Sequence, residues 1–137
     1  MKTQTAVLLL GILLLCAAAP LFGHHSFAAE FDGKQRIQLT GIVTKIEWTN
    51  PHVWFYVNVQ DQATGKFVNW GAEMGSPNAL LREGWTRNTM KVGMVVSFTG
   101  SRSKDGSNRV NTSSASVDGK KLGAASSEEP PRGEQLP

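Results

Sequence analysis

Val53-Trp54-Phe55-Tyr56-Val57-Asn58-Val59 is the stretch on which the fold turns, because its side chains alternate between two kinds. Val53, Phe55, Val57 and Val59 fall on one side and Trp54, Tyr56 and Asn58 on the other, the period of two expected of a half-buried β-strand. The side carrying the valines and Phe55 is the one that faces a core. Asp61-Gln62-Ala63-Thr64-Gly65-Lys66 then reads as a turn, and Phe67 to Met74 as a third strand with Val68, Trp70 and Ala72 inward. Upstream, Ile37 to Trp48 reads as the first strand. Ile37 and Leu39 share one face and Ile42, Ile46 and Trp48 the other, which places a change of phase at Gly41. A long first strand bent at a glycine suits a small closed barrel, where that strand pairs in two directions.

Further along, Ser76-Pro77-Asn78-Ala79-Leu80-Leu81-Arg82-Glu83-Gly84 has a serine N-cap, a proline at the first helical position and a glycine past the end. It predicts a short helix whose Leu80 and Leu81 plug the barrel. Lys91-Val92-Gly93 turns the chain into a fourth strand, Met94 to Ser101, and Lys104-Asp105-Gly106-Ser107 makes the hairpin into a fifth, Arg109 to Val117. The fifth carries the weakest pattern, since Asn111-Thr112-Ser113-Ser114 is polar on both faces. The expected fold is therefore all-β: a five-stranded OB-like barrel with one short helix between strands three and four. A two-layer sandwich is the competing architecture.

The chain ends set the compartment. Lys2 precedes an apolar run from Ala6 to Ala19, and Pro20-Leu21-Phe22-Gly23 has the form of a signal-peptidase region. A membrane-spanning helix needs roughly 20 apolar residues, and Pro20 interrupts this run first. Residues 1–23 are thus expected to be a signal peptide, cut after Gly23, with Ala18 and Ala28 as alternative sites. The export route leads to the periplasm or outside the cell. The single cysteine, Cys16, goes with the signal, so the mature chain has no thiol for disulfides or thiolate metal sites. Losing Lys2 also lowers the net charge of +3 by one, too little bias for a nucleic-acid partner. Residues 24–36 form an arm, 37–122 the barrel domain, and 123–137 a polar tail expected to be disordered.

Three blocks stand out beyond their periodicity: His24-His25-Ser26-Phe27-Ala28-Ala29-Glu30-Phe31-Asp32, Trp48-Thr49-Asn50-Pro51-His52-Val53-Trp54-Phe55, and Asn69-Trp70-Gly71 through Met74-Gly75-Ser76-Pro77 to Gly84-Trp85-Thr86. On these the chain resembles a family of small exported bacterial proteins known only as a domain of unknown function. The resemblance implies an exported β-rich domain of about this length and implies no activity, substrate or ligand.

Candidate chemistry comes from the side chains alone. Cleavage after Gly23 would start the mature chain with a free amine and two imidazoles, and His52 lies in the loop joining strands one and two. His24, His25 and His52 are therefore candidate ligands for Cu(II), which favours nitrogen donors; the alternative is a set of mobile or structural histidines. A second candidate is a ligand face made by Trp48, Trp54, Tyr56 and Trp85, for a glycan, a peptide or an envelope protein. The alternative there is that Phe27 and Phe31 fold back and cover it. Glu30, Asp32, Glu47 and Glu73 are the plausible acids and bases, but none is spaced with a nucleophile, so no enzyme is expected.

Overall fold

In the computed structural model, which describes residues 26–128, the alternation of the central stretch is realised as expected. Strand β2 spans Trp54–Gln60, and Phe55, Val57 and Val59 point into the core together with Val53 just ahead of it. Phe55 meets Phe98 edge to face, with ring centroids 5.3 Å apart. Around it run β1 (Phe31–Glu47), β3 (Phe67–Glu73), β4 (Val95–Ser103), β5 (Arg109–Val117) and β6 (Lys120–Gly123). Among the described residues there are also two short helices, α1 (Phe27–Glu30) before β1 and α2 (Pro77–Arg82) between β3 and β4.

The strands follow the order β3-β2-β1-β4-β5-β6, and a parallel pairing of β3 with β5 closes the sheet into a ring. The closure sets Gly71, Ala72 and Glu73 beside Arg109, Val110 and Asn111. β1 makes this possible by pairing twice: Phe31 to Ile42 with β4, and Ile42 to Glu47 with β2. At the crossover a Cβ on residue 41 would lie 2.5 Å from the Asn58 carbonyl oxygen, so only glycine lets the strands approach.

Several expectations are corrected. The phase change in β1 lies at a bulge between Val43 and Lys45, not at Gly41. Val43 is consequently buried and Ile42 is 43% exposed, while Ile46 and Trp48, expected to share a face with Ile42, pack against the core. Hydropathy could not decide between two adjacent aliphatic residues; the extra residue Thr44, whose hydroxyl donates to the Tyr56 carbonyl, does. β1 starts at Phe31, so the second half of the arm is strand. Ser76 caps α2 by accepting from the Ala79 amide at 3.2 Å, and Leu80 is buried, but Leu81 is 55% exposed and plugs nothing.

The strands number six rather than five. Asp118 and Gly119, with φ of 49° and 74°, form a two-residue turn that returns the chain as β6. The segment from Gly123 to Glu128, expected to be disordered, packs instead: Ala124 is buried, and Ser126 and Ser127 bond both ends of the Asn111 amide. Glu128 pairs with Arg36 at 2.6 Å. The polar face of β5 is thus a docking face for the C-terminal segment, which is why its pattern looks too polar for a buried strand. Residues 1–23, expected to be a signal peptide, together with His24, His25 and residues 129–137, lie outside the described residues.

Candidate functional site

The loop from Trp48 to Val53 carries the site. Its Asn50–Pro51 peptide is cis. Beyond the register pair Trp54 and Glu73, the ladder continues through Met74 N–H to the Val53 carbonyl (2.8 Å) and Val53 N–H to the Gly75 carbonyl (3.0 Å). His52 therefore stands one residue from a fixed ladder, and its Nδ1 contacts Glu73 Oε1. Glu73 alternates with the inward Ala72 and so points out of the ring, yet only 8% of its side chain is exposed. Burial pushes its carboxyl up, against the opposing pull of the His52 imidazole; Glu30 adds to the rise and Arg109 lowers it.

The arm faces Glu73 across a shared cleft. Phe27 and Phe31 stack with centroids 5.9 Å apart, and Phe31 is buried. The β4–β5 hairpin grips the arm from outside: Lys104 N–H donates to the Glu30 carbonyl at 2.9 Å, and Lys104 Nζ to the Ala28 carbonyl at 2.5 Å. Arg109 reaches Glu30 at 3.7 Å and Asp105 at 3.1 Å. Asp105 accepts in turn from Ser103 Oγ and the Ser107 amide, and these bonds hold its carboxyl well below the usual carboxylate range.

Between the arm, the loop and β2 opens a cleft of about 330 Å³, at the lower end of small-molecule sites. Phe27, Glu30 and Phe31 form one wall, the loop from Thr49 to His52 another, and Trp54, Glu73 and Ser127 the floor and side. Among the described residues no group of three or more His, Cys, Asp or Glu side chains is placed to hold a metal ion.

The four expected face aromatics separate. Trp54 and Tyr56 lie together on the outer side of β2, centroids 6.4 Å apart and rings 20° from parallel. Tyr56 OH donates to Glu47 at 3.1 Å; burial pushes its phenol up and Glu47 adds to that. Glu47 is held low by the hydrogen bond from Lys45. Trp48 packs against the core instead, and Trp85 is 1% exposed with its indole N–H donating to the Gly123 carbonyl at 2.6 Å. Trp85 is therefore a core residue.

Residues 11–112 match the model of a family of unknown function, DUF6152. The chain belongs to that family. The DUF6152 match takes in the arm, the His52 loop and β1 to β4, and ends at Thr112 within β5, leaving out β6 and the segment carrying Ser127. Comparison with curated proteins and with solved structures returns no match to this chain.

Sequence inspection named Glu30 as a plausible acid or base but missed the hairpin residues Lys104 and Arg109, which make it a wall of the cleft. No local signal marks them, because their proximity comes from the pairing of β1 with β4. β6 did have a signal, the Asp118-Gly119 dipeptide.

Proposed function

We propose that this chain is an exported binding domain, periplasmic or secreted, built as an OB-like barrel, which holds one Cu(II) in the cleft through His52 and His24, with His25 contributing. The fold assignment is supported by the pairing circuit β1-β2-β3-β5-β4 back to β1, with α2 between β3 and β4. OB barrels take ligands on the face of strands two and three, between the loops joining strands one to two and four to five. The cleft lies on that face, with His52 in the first loop and Lys104 in the second.

The observation that carries the copper assignment is the contact of His52 Nδ1 with Glu73. A carboxylate on one ring nitrogen fixes tautomer and orientation and strengthens the other as a ligand, so Nε2 is the donor. Phe27 lines the same cleft, and three residues of chain reach at most about 11 Å, which brings His24 within range. An amine and imidazoles without thiolates suit Cu(II). Binding rather than catalysis is proposed, and Glu30 and Glu73 at the cleft disfavour nucleic acid. After cleavage no membrane anchor is expected.

The test is a Cu(II) titration of the mature protein, its N-terminus established by intact mass, followed by electron paramagnetic resonance. Nitrogen coupling is expected, His52→Ala should weaken binding and change the spectrum, and Glu73→Gln should cost about 10- to 100-fold in affinity. Unchanged affinity and spectrum in His52→Ala, or a mature start at Ala29, would overturn it. The Trp54 and Tyr56 pair favours a second role for the outer face of β2, as a recognition surface for a glycan, a peptide or an envelope protein.

A further inference from the structure

We infer that the outer face of β2 binds a neutral oligosaccharide, whose sugar rings lie with their C–H faces on a strip formed by Trp54 and Tyr56. This rests on the reading of that face as a recognition surface and is independent of copper. The strip is built by an absence on the neighbouring strand. Gly71 is the register partner of Tyr56, and a Cβ there would lie 3.3 Å from the Tyr56 ring and 3.5 Å from the Trp54 ring. The space that side chain would take is left to the edges of the two rings, whose planes lie 20° from parallel.

The surroundings select the class of ligand. At one end Tyr56 OH meets Glu47, which also pairs with Lys45 at 2.5 Å, so that end is polar and charge-balanced. Lys45 Nζ sits 5.4 Å from the Tyr56 ring centroid, on a side chain 62% exposed, and can swing aside or donate to a hydroxyl. One rung further the amides of Asn58 and Asn69 bond each other at 2.8 Å on the same outward face. At the other end Trp54 joins the cleft with its carboxylates. Flat apolar rings flanked by neutral donors and acceptors match a polyol with apolar ring faces. A polyanion would meet the carboxyl groups of Glu30 and Glu73 at the Trp54 end.

The experiment is a ¹H–¹⁵N titration of the mature protein with cellotetraose and, separately, chitotetraose. The Trp54 indole signal should shift saturably, while that of Trp85, bonded to the Gly123 carbonyl in the core, stays in place. Trp54→Ala should lower affinity about tenfold or more, a loss typical of a removed stacking ring, and Trp54→Phe should recover part of it. An unmoved Trp85 signal in each variant reports that the fold is intact. Binding that survives Trp54→Ala in a folded variant would overturn the inference. If neither sugar shifts Trp54 but oligothymidylate or a peptide does, the recognition surface stands and the saccharide assignment falls; if nothing shifts it, both fall.

Discussion

The two sides of the β2–β3 pair are both covered, but by different means. The inner side is closed by Phe55, Val57 and Ala72 against Phe98 and Val96, all apolar, and supplied by strand alternation. At the end near the loop, the outer side is closed over Glu73, His52 and Asn111 by two chain ends, the arm through Phe27 and Phe31 and the C-terminal segment through Ser126 and Ser127. The first kind of burial needs only a pattern within one strand. The second needs segments far apart in the chain to find particular polar partners, and it is where cleft and ionisable groups occur together.

The contrast predicts unequal sensitivity. Phe55→Ala should be the most damaging change, costing about 3–5 kcal/mol in a denaturant titration, because the ring is fully buried and its space cannot be refilled. A loss below about 1 kcal/mol would mean the inner side is not the core.

On the outer side, Asn111→Ala removes the bonds to Ser126 and Ser127 while leaving the Arg36–Glu128 pair, and the expected cost is about 1–3 kcal/mol. Hydrogen exchange should quicken in residues 124–128 and stay unchanged in β2. Equal quickening in both would show that the two sides unfold as one, and the distinction drawn here would fail.

The smallest effect is expected at the hairpin gripping the arm. Asp105 has its carboxyl held low by Ser103 and Ser107, so its stabilising contribution is present above its unfolded value of about 3.9 and fades as pH falls through the lower folded value. Asp105→Asn should lower the melting temperature slightly at neutral pH, and the difference from the parent protein should shrink in strong acid. A difference independent of pH would assign the effect to lost hydrogen-bond geometry rather than charge.

The same division explains what could be read from the chain before its structure. β2 and α2 were legible because alternation, the Ser76 cap and Pro77 act over a few residues. The bulge after Val43 was not, since Ile42 and Val43 are equally apolar and only pairing with β2 and β4 chooses between them. β6 was hidden by Lys120 and Lys121, whose charges point outward while Leu122 between the strands is buried. At the site, His52 and Glu73 were each singled out, but the contact between them depends on the rung that sets Trp54 opposite Glu73. The tryptophans misled because Trp85 and Trp54 look alike in sequence, and only the Gly123 carbonyl behind one of them assigns it to the core.

The double pairing of β1 also governs how the chain can assemble. β1, β2 and β3 form a meander of near neighbours, and β4, β5 and β6 a second, so each half can develop its hairpins early. Joining them requires Phe31 to meet Ser103 and Gly71 to meet Arg109, contacts between residues remote in sequence. High contact order of this kind places folding in roughly the millisecond-to-second range of all-β domains. Under the export proposed above, that delay would be useful: neither meander can close the ring alone, and the polypeptide would stay unfolded until β5 had followed β1 through.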